Sequence, residues 1–343
     1  APGWDDSFGW EAEPLPSHKL PKLTNPACGF VAAANAKPAP NTEDAYLGDD
    51  WLDGYRQTRI MEALAERDDW TLAASAELQM CTLSLPWRQL RSELLSASAR
   101  AGLDERIEGT LSEWDGRLEP ESIAASIFQC FLSAAFRRII TRIAPVSSAH
   151  VLGEGSTELL PYSCIVTRRT SHFVDIIKRG DEDVLGGPAH EVLAEILEEA
   201  CAFLTKRFGS IGPAWRWGEV RPMTLVHPFA KKALLAKLFN IGPIAGRGDA
   251  TTVHQGSVDL KDPTANVIGC ATMRCVIDVG KWSESRFIVL GGQSGNPLSP
   301  HFDDQVSLWE KGQGVPIYWD DDALADACVA TLNLSPLSGA SAG

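Results

Sequence analysis

The stretch Gly29–Arg59, GFVAAANAKPAPNTEDAYLGDDWLDGYRQTR, sets how the rest of the chain is read. Its first residues, Gly29 to Ala34, are small or apolar without interruption and predict a buried strand. Asn35, Ala36, Lys37 and Pro38 end that run, because a proline restricts the residue before it and has no N–H of its own to donate. From Tyr55 the spacing becomes helical, with Ile60, Ala63 and Leu64 on one face and Arg56, Arg59 and Glu62 on the polar side. The loop between holds Glu43, Asp44, Asp49, Asp50 and Asp53. An amide, a guanidinium and several carboxylates within one short span are the materials of a polar site. Composition alone also accommodates an Asn that caps a turn and an Arg that neutralises its acidic neighbours.

Moving outward, residues 71–101 predict further helix, with Leu83, Leu85, Trp87, Leu90, Leu94 and Leu95 for the core. Leu111–Ser122 reads as a polar turn region around Asp115 and Gly116, anchored by Trp114 and Leu118. Ile123–Ile143 carries the clearest helical pattern, and its apolar arc is wide enough to predict burial on more than one side. Gly186, Gly187 and Pro188 break the chain before a second amphipathic helix, His190–Phe208, with Val192, Ile196, Ala200 and Phe203 inward. Later, Thr272–Gly280 alternates with the period of a strand, Met273, Cys275, Ile277 and Val279 forming its apolar face. Arg286–Leu290 completes an antiparallel hairpin; a Gly/Pro/Ser loop then runs over Gly291–Gln305, and Asp303–Lys311 returns to helix. Helices with strand pairs predict an α+β layered architecture.

The 343 residues, 44% of them hydrophobic, support a substantial core in one large domain or two. With 31 Lys and Arg against 45 Asp and Glu, the formal charge of -14 argues against nucleic acid or an anionic membrane as a partner. No uninterrupted apolar run reaches the roughly 20 residues of a bilayer span, and no signal peptide opens the chain. APGWDDSFGW reads as mid-domain sequence, so Ala1 is not expected to be the start of the gene product. Eight scattered cysteines make no disulfide framework, and Cys270 with Cys275 lacks the second pair of a zinc site.

Other constellations are weaker. Ser294, His301 and Asp303 or Asp304 suggest a hydrolase triad, but the sequence around Ser294 lacks the last Gly of a nucleophile elbow, and triad members seldom lie side by side in a chain. Gly246–His254, GRGDATTVH, lacks the Lys and the spacing of a phosphate loop. His227, beside Pro228, reads as an ordinary hydrogen-bonded histidine. Should an ion bind, the acidic loop around Asp44 suits a hard cation such as calcium.

A series of segments carries a more specific signal. NPACGFVAAANAKP (Asn25–Pro38), DDWLDGYRQTRI (Asp49–Ile60), WDGRLEPESIAASIF (Trp114–Phe128) and WRWGEVRPMTLVHPF (Trp215–Phe229) come first. GRGDATTVHQGSVD (Gly246–Asp259), MRCVIDVG (Met273–Gly280) and GGQSGNPLSPHFDDQVSLWEKG (Gly291–Gly312) follow. Together, in this order and over nearly the whole chain, they resemble the later part of the β-chain of the penicillin acylase family of N-terminal-nucleophile hydrolases. The resemblance implies that residues 1–343 are part of a four-layer αββα fold, antiparallel sheets covered by helices.

It further implies an acylase that cleaves an N-acyl amide through an acyl-enzyme on an N-terminal Ser not present here, with no catalytic cofactor. Asn35 matches the family's oxyanion-hole Asn, Arg56 the Arg that supports it, Asp249 an acidic residue lining the substrate site, and Asp44 the ligand of a structural calcium found in some members. Partners implied are the α-chain and the N-terminal part of the β-chain of the same precursor, and a small acylated amine; the compartment implied is the periplasm or the exterior. Ala36 stands where the family often has a second Asn, and Ala1 where its β-chain opens on Ser. The rival expectation is a non-catalytic or truncated homologue that serves as a structural or binding domain.

Overall fold

A computed structural model describes the chain except residues 1–2, 10–12, 43–44, 158–159, 164, 166–167, 258–260, 268 and 336–343. The chain divides into two compact units, one of residues 1–69 and 78–271, the other of residues 70–77 and 272–343. In order, the helices and strands of the first stretch are α1 (Tyr55–Ala65), α2 (Leu72–Gln79), α3 (Leu85–Arg100), α4 (Glu105–Ser112), α5 (Ile123–Ile143), α6 (Ser148–Val151), β1 (Glu154–Thr157) and β2 (Leu160–Tyr162). They continue as α7 (Thr170–Arg179), α8 (Glu182–Leu185), α9 (Ala189–Phe208), α10 (Trp217–Val220), β3 (Met223–Leu225), α11 (Ala233–Phe239), β4 (Ile241–Ile244), β5 (Gly256–Ser257) and β6 (Gly269–Cys270). The remaining elements are β7 (Met273–Val276), β8 (Arg286–Val289), α12 (Val306–Glu310), β9 (Val315–Pro316) and α13 (Asp321–Ala327).

The first unit is built around α5, which starts where Ser122 caps it by accepting from the Ala125 N–H at 3.1 Å. Fifteen of its 21 residues are buried, so it is enclosed rather than packed on one face. It is also long and apolar enough to cross a membrane by length and composition, contrary to the sequence-based count of apolar runs, but 83% of that apolar window is buried inside the protein. Helix α9 packs against it, and α3 packs against α9. Trp87, Trp114 and Phe128 meet with ring centroids 4.5 to 5.6 Å apart. Burial drives the Cys201 thiol up to about 12 and raises Cys130 as well, so both remain neutral core groups.

The helices predicted at 123–143 and 190–208 stand where the apolar spacing put them. Residues 71–101 do not form one helical run: α2 and α3 are separate, because residues 81–84 pair in extended form with residues 116–118. The Ser84 N–H donates to Gly116 O at 2.9 Å, the Leu118 N–H to Thr82 O at 3.1 Å, and Leu83 bridges Arg117. Ser84 then caps α3 by accepting from the Trp87 N–H. Gly116, at φ +82°, turns directly over Trp87; a Cβ there would lie 2.5 Å from the indole. Helix α4 was hidden in sequence by Gly109 and its polar neighbours, although Ile107 and Leu111, one turn apart, are both buried.

The strand predicted at Gly29–Ala34 is not formed. Among the described residues no strand lies beside it, and Val31 is 63% exposed, so its backbone has no ladder to join. The described sheets of the first unit are three antiparallel pairs, β1 with β2, β3 with β4 and β5 with β6.

The second unit contains the predicted hairpin: β7 and β8 are antiparallel, Met273 facing Val289 and Cys275 facing Phe287, and β9 extends the sheet beside β8. Its faces are the reverse of the apolar pattern. Met273, Ile277 and Val279 are exposed, whereas Arg274 is buried, its guanidinium 4.2 Å over the Trp309 ring and donating to Trp309 O at 2.7 Å. A stacked, hydrogen-bonded Arg can occupy the inner side of a strand that periodicity alone assigns to water. The loop 291–305 closes on itself, Gln305 N–H to Gly291 O at 2.9 Å, before α12.

Candidate active site

Arg56 lies in the first turn of α1, whose N-cap residue is Gly54, and is half-buried. Its Nη2 donates to Asn35 Oδ1 at 2.8 Å and to Ala34 O at 3.2 Å. Asn35 adopts φ +60°, a left-handed conformation that Asn tolerates better than most residues. Its backbone carbonyl accepts from the Leu52 N–H at 3.0 Å, so main chain and side chain are both held by the segment that opens α1.

This geometry fixes the amide. A guanidinium has only donors, so the carboxamide atom facing Arg56 is the oxygen and the NH2 group is directed away from it. Among the described residues that NH2 has no acceptor. Among the described residues Arg56 forms no ion pair; Glu43 and Asp44 lie outside them. Burial lowers its pKa from the usual arginine value, and it remains a cation at any physiological pH.

Beside Arg56 opens a small pocket. Leu52, Asp53, Tyr55 and Arg56 form one wall; Ala250, Thr251, Gln255 and Ser257 form the other. Tyr55 donates its hydroxyl to Gln89 Oε1 at 2.9 Å, and burial raises its pKa, so the phenol stays neutral. Asp53 is held by Ser171 and, because burial outweighs those hydrogen bonds, its pKa is raised.

Asp249, matched to a residue lining the site, is instead 4% exposed and sits behind the second wall. Its Oδ1 accepts from the Thr251 N–H at 2.7 Å, the Thr251 hydroxyl at 2.7 Å and the Thr252 N–H at 3.1 Å, and its Oδ2 from Gln129 Nε2 at 2.7 Å. With both oxygens engaged, the carboxylate shapes the turn that presents Ala250 and Thr251. Gly248, at φ +62°, belongs to the same turn; a Cβ there would fall 2.1 Å from His254 O. Arg221 is fully buried, 4.8 Å over Trp217 and donating to Gly256 O at 3.0 Å; burial lowers its pKa to about 10, and among the described residues its Nε and Nη1 have no hydrogen-bond partner.

Asp44 and Glu43 lie outside the described residues. The other loop carboxylates are engaged: Asp49 with Lys37, Asn41 and Tyr46, Asp50 with Arg168, and Asp53 with Ser171. Among the described residues no three His, Cys, Asp or Glu side chains converge as a metal site, and no disulfide joins the described cysteines. In the second unit His301 pairs with Asp304 at 2.8 Å, but the Ser294 hydroxyl accepts from the Asn296 N–H and closes a turn, so the three do not make a triad. His227 accepts from the Phe229 N–H and stacks on Phe239, the structural role its sequence suggested. Sequence reasoning passed over Thr251, Gln255 and Ser257 in the pocket wall. Gln129 did carry a signal, a lone amide in the otherwise apolar stripe of α5.

The penicillin amidase family model matches residues 1–326. The chain belongs to the penicillin amidase family. Penicillin acylase 2 proenzyme of Pseudomonas sp. (strain SE83) is 30% identical over 98% of this chain and 42% of its own length. Acyl-homoserine lactone acylase QuiP of Pseudomonas syringae pv. tomato is 26% identical over 92% of this chain and 40% of its own length. A thermostable penicillin G acylase from Alcaligenes faecalis superposes with a TM-score of 0.53 at 17% identity, covering 91% of this chain and 57% of that one. As a penicillin amidase family member the chain is α+β and shares the N-terminal-nucleophile hydrolase fold, and it spans about two-fifths of the length of the curated relatives it matches.

Proposed function

We propose that this chain forms part of an acylase that hydrolyses N-acyl amides, and that Asn35 is a donor of its oxyanion hole with Arg56 as the residue that orients it. The observation that carries the proposal is the 2.8 Å bond from Arg56 Nη2 to Asn35 Oδ1, which leaves the Asn35 NH2 group pre-set as an unengaged donor. On this reading an N-terminal Ser, supplied by another segment of the same precursor, attacks the amide carbonyl while its own α-amine takes the hydroxyl proton. The carbonyl oxygen becomes an oxyanion held in part by Asn35 Nδ2. Collapse expels the amine with a proton returned from the α-ammonium, and water then releases the acid from the acyl-enzyme. No metal or organic cofactor enters these steps.

The relatives' names, penicillin acylase and acyl-homoserine lactone acylase, support an acylated amine as the substrate class. Expression of the complete reading frame, followed by assay of phenylacetyl, glutaryl and long-chain acyl amides, tests the proposal. Turnover of at least one class by the processed protein is expected, and none by the 343-residue chain alone. A correctly processed protein that turns over none of them would overturn it.

A further inference from the structure

The Asn35–Arg56 pair lies on segments that have little regular structure of their own. Residues 29–54 contain no helix or strand among those described, and α1 begins at Tyr55, after an N-cap residue, Gly54, that supplies no side-chain cap. The position of Asn35 therefore has to be inherited from elsewhere, and the contacts of residues 49–53 show from where.

Among the described residues, the polar contacts of that segment outside its own loop run to the N-terminal arm of α7. Arg168 Nη1 donates to Asp50 O at 2.8 Å and lies 2.9 Å from Asp50 Oδ2; Arg169 Nη2 donates to Asp49 O at 3.2 Å. The Ser171 N–H donates to Asp53 Oδ2 at 3.1 Å and its hydroxyl to Asp53 Oδ1 at 2.5 Å. The N-cap residue of α7, Arg169, offers no side-chain acceptor, so a carboxylate 118 residues away in sequence satisfies the first-turn donor instead. Helix α7 is itself anchored: Phe173, Val174, Ile176 and Ile177 are buried, and Phe173 lies 4.8 Å from the Phe136 ring of α5. A rigid route thus runs from α5 through α7 to Asp53. From there Leu52 reaches the Asn35 carbonyl on one side, and Gly54–Arg56 reaches its amide on the other.

We propose that Asp53, clasped by Ser171 at the start of α7, is a positioning residue that sets the place of the Asn35 amide relative to the reacting carbonyl. The inference rests on the acylase reading above. Asp53 acts through Asn35 and Arg56, so its loss should affect transition-state binding more than substrate binding. A displacement of the amide by a fraction of an ångström to one ångström corresponds to about 10–10²-fold in kcat.

The test is a double-mutant cycle in the complete, processed enzyme, with kcat expressed per active site counted by titration with a covalent serine-directed reagent. Asp53→Ala is expected to lower kcat about 10-fold or more with KM little changed, Ser171→Ala to lower it less, and Asp53→Glu to recover part of the loss. In an Asn35→Ala background, Asp53→Ala is expected to add little, because the group it positions is gone. Full additivity of the two losses, or a loss confined to KM or to the number of titratable sites, would overturn the positioning role while leaving the acylase reading intact. Normal kcat in Asn35→Ala itself would overturn the oxyanion role of Asn35 on which the positioning role rests, and absence of turnover by the correctly processed wild-type protein would overturn the acylase reading instead. Should Asp53→Ala fail to fold, the Ser171→Ala cycle alone decides the matter by the same criterion.

Discussion

Asn35→Ala in the complete, processed enzyme is expected to lower kcat by about 10²–10³-fold with little change in KM, the loss typical of removing one oxyanion-hole donor. The size of the effect follows from where the charge develops. The ground-state carbonyl needs little from a donor, whereas the tetrahedral oxyanion gains a charge-assisted hydrogen bond, so removing Nδ2 affects the transition state selectively. Folding should lose only about 1 kcal/mol: Asn35 is exposed and water can replace its hydrogen bond to the half-buried guanidinium, so the main cost is Ala at φ +60°, where Asn is better tolerated. Steady-state kinetics with a chromogenic acyl amide, beside a thermal melt, checks both halves. A variant with both kcat and KM at wild-type values would rule the residue out.

Asp249→Ala should have the largest effect on stability, about 3–5 kcal/mol. Its carboxylate is the common acceptor for two backbone N–H groups, a hydroxyl and the Gln129 amide, and it lies close enough to the buried Arg221 to influence that cation. Truncation strands several donors in a site that water does not reach and removes a negative charge that acts on a fully buried guanidinium. The expected result is a large fall in the denaturation midpoint, with loss of activity following the loss of fold; Asp249→Asn should lie between. The alternative role, direct contact with substrate, makes the opposite forecast of a raised KM in a protein of normal stability. Chemical denaturation of the complete protein separates the two.

Much of the fold was legible because helices advertise themselves locally. The apolar arcs at 123–143 and 190–208 gave elements within a residue or so of those observed. What failed were readings that depend on a distant partner. Gly29–Ala34 has the composition of a strand, but a strand exists only beside another, and none of the described strands lies there. Residues 81–84 lost their helical continuity to a pairing with 116–118, which no periodicity reveals. Arg274 defeated the alternating pattern because stacking on Trp309 made burial of a cation favourable.

The site was legible to the same limited degree. Motif order picked out Asn35 and Arg56, and the structure brings them into contact across 21 residues of sequence. Motif order also picked out Asp249, whose hydrogen bonds run to Thr251, Thr252 and Gln129; sequence does not show whether a carboxylate points into a pocket or into the turn behind it. The contribution of α7 was invisible, since nothing in Arg168, Arg169 or Ser171 marks them as partners of Asp49, Asp50 and Asp53.

The most direct test of the central claim, that the Asn35 NH2 group donates to the oxyanion, is the kcat of Asn35→Asp in the complete enzyme. This substitution keeps the shape and the acceptor for Arg56, replaces the donor NH2 by an oxygen and adds a negative charge. The account predicts a loss at least as large as that of Asn35→Ala, about 10²–10³-fold, in a protein that melts normally, because a carboxylate there also repels the developing charge. An Asn35→Asp enzyme that retains wild-type kcat would contradict it.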